Sequence, residues 1–492
     1  MKRGEASSAL AARGPEEIAA RRWLGLGVGS LVIAGVLSLL LVLGRMPPFD
    51  RLVTDPLFFR RCLVVHVDLA LVVWFFAFVA ALLFALAPPG TSSRASRLSP
   101  HLGALGVAVM VLSAGANGAQ PVLANYVPMI DNAGFEVGLA LFGAAVIASF
   151  LDARLLPSAA SRPTGPLALP DAAEPPLRAA AIAIVLAALS FATSYAVAPE
   201  GLTSETLFEL ANWGGGHVLQ LATTSAMCAV WITLLAGVLG RAPVSRRASS
   251  ALFGALLLPW LAAPILAARG IQDVAARELF TRLMQLAIFP AVLALLALCL
   301  RTLWRARRAG ELDAAKLRDP RLVGFAVSAG LTVLGWTIGA FIRGSNTMIP
   351  AHYHASIGAV TAAFMTVAYP TLERLGHALP TPRQARVARW QPMVYGLGQM
   401  VFASGFALAG AHGMGRKLYG AEQHARSLAE TAGLFVMGVG GVVAIVGGLA
   451  FLFLFVSAWR TRQATDPSHA APITKARVGR LAWLRESIRS RG

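Results

Sequence analysis

Two histidines one residue apart, His352 and His354, head an apolar stretch in Ile349-Pro350-Ala351-His352-Tyr353-His354-Ala355-Ser356. Neutral imidazole is the commonest protein ligand for a metal ion. Two residues along an α-helix turn the chain by about 200°, so the two rings point to nearly opposite flanks. One helix can then serve a metal centre on each side. The competing reading is a pair of interfacial histidines at a helix start. Two further histidines open apolar runs elsewhere and weigh against it. They are His66, in Arg61-Cys62-Leu63-Val64-Val65-His66-Val67-Asp68-Leu69, and His217, in Trp213-Gly214-Gly215-Gly216-His217.

The elements that must position these rings are membrane helices. The chain of 492 residues is 56% hydrophobic and 14% charged, with a mean hydropathy of +0.64. Such a composition excludes an ordinary soluble protein and predicts a polytopic one in a lipid bilayer. A net charge of +19 would suit nucleic acid, but no basic helix or aromatic-basic interleaving accompanies it. Cys62, Cys228 and Cys299 lie in or beside apolar runs, without CxxC or CxxCH. That pattern offers no disulfide framework, no zinc site and no covalent haem attachment.

Runs of roughly 20 apolar residues, enough to span a bilayer, begin near Trp23, Cys62, Leu102, Phe135, Leu177, Leu210, Ala251, Met284, Val323, His352, Pro392 and Thr431. The fold class is therefore all-α, an integral membrane protein of twelve transmembrane helices. Residues 1–22 have no apolar core and read as a cytosolic tail, not a signal peptide. Residues 23–459 form the membrane domain, and 460–492 a basic cytosolic tail with a short amphipathic helix near 481–488. The longest connector, 152–178, is rich in Ala and Pro.

Most of the 43 Lys and Arg fall on the tails and the even-numbered loops, which places both termini in the cytosol of a bacterial-type inner membrane. His66, His217, His352 and His354 then sit early in the second, sixth and tenth helices, which all run from outside to inside. The four imidazoles share one depth near the outer face. Ligating side chains inside a membrane are costly and are functional candidates. His101, His377, His412, His424 and His469 are loop or interfacial residues with no assigned role.

On these residues the chain resembles subunit I of the haem-copper oxidase superfamily, which includes terminal oxidases and nitric oxide reductases. The resemblance spans about Trp23 to Trp459. It implies a low-spin haem between His66 and His354, a high-spin haem on His352, and His217 as a ligand to a second metal. Gly413-Met414-Gly415-Arg416-Lys417 is similar to the family's turn after the eleventh helix. It implies Arg416 and Lys417 as partners of haem propionates, through charge-assisted hydrogen bonds.

The departures are as specific. Where the family has two adjacent histidines on the seventh helix, this chain reads Leu261-Ala262-Ala263-Pro264-Ile265-Leu266-Ala267-Ala268-Arg269. One imidazole does not hold copper or iron tightly, so copper is not expected. Leu221 stands four residues after His217, where oxidases carry a tyrosine and nitric oxide reductases a glutamate. The eighth helix lacks the proton-path lysine, and the loop from Pro88 to Pro100 has no acidic residue. Reduction of dioxygen to water and proton pumping are accordingly in question.

Around these ligands several readings stay open. His217 is a remnant ligand, a donor to a bound diatomic, or a polar residue satisfied by Gln220 or water. Gly214, Gly215 and Gly216 admit a macrocycle or serve helix packing. Trp74, Phe75, Phe76 and Phe78 line a haem edge, face lipid or pack. Arg60 and Arg61 meet propionates or sit at the interface. Asp68 should face protein, and Asp273, Arg277 and Glu278 are the only polar groups near the place of the absent ligands. The expected function is a haem-binding redox protein in which a low-spin haem passes electrons to a high-spin haem that binds or reduces O2 or NO. The alternative is a non-catalytic electron-transfer or gas-sensing cytochrome subunit of a larger complex. Electrons would come from a separate subunit, carrying cytochrome c or a copper domain, or from quinol.

Overall fold

The computed structural model describes residues 14–52, 55–156, 167–379, 381–418, 423–424 and 427–461. Among the described residues, twelve helices are long and apolar enough to cross a membrane. They are α1 Pro15–Leu43, α2 Pro56–Leu86, α3 Arg94–Ser113, α4 Ala133–Phe150, α5 Asp171–Ala196, α6 Ser204–Leu239, α7 Arg246–Ala267, α8 Val274–Arg308, α9 Pro320–Ala340, α10 Met348–Arg374, α11 Pro382–Ala411 and α12 Leu428–Arg460. Each apolar run marked in the sequence is one of these helices. The first starts earlier than expected, inside the stretch read as a tail. Pro15 suits a first turn that needs no amide partner, Glu16 and Glu17 favour the positive helix end, and Ala19, Ala20, Trp23 and Leu24 are already buried. The tail from 462, with the expected helix near 481–488 and His469, lies outside the described residues.

Short polar side chains start the helices by accepting from amides left free in the first turn. Asp55 caps α2, Asn132 α4, Thr203 α6, Asp273 α8 and Asp319 α9. A reciprocal Ser427–Glu430 pair opens α12. Glycine lets backbones approach where lipid gives no hydrophobic drive to association. A Cβ on Gly405 of α11 would lie 2.2 Å from the Met437 amide nitrogen of α12, and one on Gly440 of α12 would lie 2.2 Å from that of Phe402.

Burial sorts the helices into an inner and an outer set. In α2, α6 and α10, 89%, 78% and 78% of the apolar window is buried, against 28% in α7 and α8. The three helices that carry His66, His217, His352 and His354 are thus the interior of the bundle. Their rings lie toward one end, closed by the antiparallel hairpin β1 Gln120–Val122 and β2 Met129–Asp131, the bridge Asn346–Gly415 and the Thr347 amide donating to Met414 O at 3.0 Å. At the other end His377 joins α1 to α12. Arg21 lies 2.6 Å from its Nε2, the Thr461 carbonyl lies 3.2 Å from its Nδ1, and Trp459 stacks on its ring.

α2 departs from the regular helix immediately after His66. Residues Asp68–Val73 form a π-turn, which widens the helix and re-aims the side chains beyond it, a feature frequent at functional sites. In the next turns Trp74, Phe75, Phe76 and Phe78 are all buried. Trp74 and Phe78 pack on one another at 5.0 Å, and Phe78 stacks on Phe364 of α10 at 4.8 Å. Their burial excludes lipid contact, and Phe78 packs α2 against α10.

Candidate functional site

His66 and His352 are held in the same way. Nδ1 of His66 lies 2.8 Å from the carbonyl oxygen of Ala34 on α1, and Nδ1 of His352 lies 2.6 Å from that of Gly335 on α9. A carbonyl can only accept, so each Nδ1 carries the proton and each Nε2 the lone pair. No group among the described residues hydrogen-bonds to either Nε2. Ligating histidines commonly have this arrangement, one nitrogen tied to a carbonyl and the other free for the metal.

His354 lies on the opposite flank of α10 from His352 and faces α11. Its ring meets Phe402 at 4.7 Å and Phe406 at 6.2 Å. His66 and Arg45 are close enough to bear on it electrostatically. α2 and α10 therefore bring His66 and His354 into one neighbourhood. Each of the three rings keeps some accessible surface although helices surround it. The donor set suits iron macrocycles: His66 and His354 would hold one, and His352 another.

His217 is different. It is 1% exposed, and both of its nitrogens are engaged. Nδ1 lies 2.8 Å from the Trp213 carbonyl and Nε2 lies 2.8 Å from the Tyr126 hydroxyl. Gln220 takes no part, and its Oε1 has no hydrogen-bond partner. Asp273 caps α8 and pairs with Arg269 at 2.8 Å, Glu278 pairs with Arg282, and the Arg277 carbonyl accepts from Trp213 Nε1 at 3.1 Å. None of them supplies the donors missing from α7. Among the described residues no three His, Cys, Asp or Glu side chains cluster as a metal site. A second metal beside His217 does not fit the groups present. The three glycines before it receive aromatic rings, since a Cβ on Gly214, Gly215 or Gly216 would strike Phe280, Phe191 or Tyr126 at 2.9, 2.6 and 2.3 Å.

The basic residues separate. Arg416 donates to Asn125 Oδ1, Asn125 in turn donates to Glu209 through both its amide and its side chain, and Arg45 donates to the Arg416 carbonyl at 3.2 Å. Arg45 also lies over the Phe406 ring at 5.2 Å. Lys417 lines an open cleft of about 430 Å³ together with Arg60, Asp131, Ser204 and Glu205. Arg61 donates to the Ala119 carbonyl through Nε at 3.0 Å, which ties α2 to the hairpin. Asp68 is wholly buried, and no described group hydrogen-bonds either of its oxygens.

Sequence reasoning missed Arg45 and Tyr126. Arg45 carried a faint signal, a lone cation ending an otherwise uncharged span. Tyr126 carried none, because it lies in a loop 91 residues from its partner.

No family model matches the chain. An uncharacterised protein of Rickettsia prowazekii (strain Madrid E) is 25% identical over 497 residues, covering 88% of this chain and 94% of its own. An uncharacterised protein of Aquifex aeolicus (strain VF5) is 26% identical over 356 residues, covering 72% and 85%. Among solved structures, a heme-copper terminal oxidase dimer determined by cryo-EM superposes with a TM-score of 0.70. It covers 92% of this chain and 86% of its own, at 13% identity. At that identity the likeness speaks for the fold.

Proposed function

We propose that this chain, whose fold is that of a haem-copper terminal oxidase, is a two-haem redox protein of a bacterial-type inner membrane, with both termini cytosolic. What supports this reading is the closeness of His66 on α2 to His354 on α10, near enough for one to act electrostatically on the other. His66 has Nδ1 committed to Ala34 O at 2.8 Å and Nε2 free. In this reading His66 and His354 hold a low-spin haem, and His352 holds a second haem on the other flank of α10. Bound there, haem would supply one-electron transfer at the first site and diatomic-gas binding at the second.

The chain's own residues have clear tasks in this scheme. The carbonyls of Ala34 and Gly335 fix the tautomer and orientation of His66 and His352. Phe402 and Phe406 restrict the His354 ring from α11. Arg45 and Arg416 place positive charge at the end of the bundle where haem propionates would lie, suited to charge-assisted hydrogen bonds. Lys417, on the open cleft, takes a smaller share. Electrons would enter from a separate subunit with cytochrome c or a copper domain, or from quinol.

Oxidoreductase chemistry on O2 or NO is one form of this function. The engagement of both His217 nitrogens favours the other, electron transfer or reversible gas binding within a larger complex. Optical titration of the purified, reduced protein with carbon monoxide tests both. Two haems per chain, one responding to the gas, is the expected result. The absence of haem ends the reading, whereas two haems of which neither responds leaves electron transfer alone.

A further inference from the structure

Tyr126 adopts a backbone conformation that a bulky residue seldom takes. Its φ is +68°, in the left-handed region, where such strain persists only when the surroundings impose it. The surroundings here are specific. The Tyr126 ring sits 4.6 Å from the His217 ring and edge-on to Trp213 at 5.7 Å. It lies on Gly216, where any side chain would displace it. Its neighbour Asn125 is clamped by Arg416 and Glu209.

The hydrogen-bond directions are set by the partners. The Trp213 carbonyl requires the His217 proton on Nδ1, so Nε2 presents a lone pair and the Tyr126 O–H donates into it. Burial, aided by the charge of Glu209 and opposed by Arg416, pushes the phenol up from its usual range, so it keeps that proton. A metal at His217 would need the same lone pair.

The geometry points to Tyr126 as a positioning residue that stands where a second metal would bind, holding His217 by a hydrogen bond in place of a coordinate bond. This inference rests on the haem reading for its setting but not for its geometry. Around the ring, Trp213 at 5.1 Å and Phe280 at 6.1 Å bring aromatic faces and no further lone pair. Copper or iron needs three or four suitable ligands, and among the described residues the phenol is the polar group that meets His217 Nε2. The imidazole thereby anchors the loop carrying Tyr126, Asn125 and, through them, Arg416.

The test uses protein purified from membranes with its native cofactors, in wild-type, Tyr126→Phe and His217→Gln forms. Each is incubated anaerobically with Cu(I) or Fe(II), desalted, and counted for haem and for additional metal. 15N-histidine spectra are recorded on the same samples. The wild type should retain no more added metal than His217→Gln. One Nε2 resonance should shift in Tyr126→Phe and be missing from His217→Gln, a change that loss of packing alone does not produce. An equivalent of added metal held by the wild type and lost in His217→Gln overturns the inference, as does an Nε2 resonance unmoved by Tyr126→Phe. If Tyr126→Phe does not fold, the wild-type metal count still decides. Absence of haem would defeat the earlier reading, and the resonance shift would still decide this one.

Discussion

Nδ1 of His352 lies 2.6 Å from the carbonyl oxygen of Gly335, a contact that exists only because α9 presents no side chains there. A Cβ on Gly335 would fall 2.5 Å from Ser356 Oγ, and one on Gly339 would fall 2.7 Å from His352 Nδ1 itself. Two glycines one helical turn apart thus define the seat of the imidazole. Orientation of the free Nε2 is a property of the α9–α10 interface.

Gly339→Ala should therefore disturb His352 while sparing α2. The added methyl forces the ring or α9 to move, at a cost of about 1–3 kcal/mol for overpacking. The carbon monoxide difference spectrum of the reduced protein is expected to shrink or shift, with the low-spin band unchanged. An unaltered gas titration would mean that His352 does not seat the gas-binding haem.

His66→Ala or His354→Ala should abolish the narrow low-spin absorption band of the reduced protein. His352→Ala should retain it, because its ring serves the other flank of α10. Reduced-minus-oxidised spectra of the three variants separate the two sites. Persistence of the full band in both His66 and His354 variants would refute their pairing.

Glycine substitutions should divide by what their Cβ meets. Gly216→Ala drives a methyl to 2.3 Å from Tyr126 Cβ, and overpacking of this kind costs about 1–3 kcal/mol. Gly254 of α7 has nothing within 4 Å of its Cβ position, so Gly254→Ala should be neutral or stabilising by up to about 1 kcal/mol. Thermal unfolding in detergent gives both values. Equal effects would show that the close approach at Gly216 is absent in solution.

Asp152, in the loop after α4, gives a pH dependence. Burial pushes its carboxyl up, but Arg154, the Ser96 hydroxyl and the Ser93 amide and hydroxyl outweigh it and hold the carboxyl below the usual range. A depressed folded value means that its stabilisation is complete above the unfolded value of about 4. It is lost as pH falls through the folded one. Asp152→Asn should lower the unfolding temperature at neutral pH and flatten its decline below pH ~4. An acid limb as steep as in the wild type would assign the decline to other groups.

Some of this protein was decided along the chain. Twelve apolar runs, the charge of the loops between them and the positions of His66, His217, His352 and His354 along their helices come from composition and spacing, which are local. Hydrophobic length makes the spans, and a fixed 1.5 Å per residue sets how far along its helix each ring lies. The fold class was legible for that reason.

What each imidazole does with its two nitrogens was decided in three dimensions. Ala34 reaches His66 from 32 residues away, Gly335 reaches His352 from 17, and Tyr126 reaches His217 from 91. The same residue type offers a free nitrogen at His66 and His352 and none at His217. Sequence periodicity reports which face of a helix is apolar, but membrane helices are apolar nearly all round. It therefore does not say which helix packs on that face or how closely. Glycine at the contact sets how near the neighbour comes, and that distance determines whether a carbonyl or a phenol meets the ring.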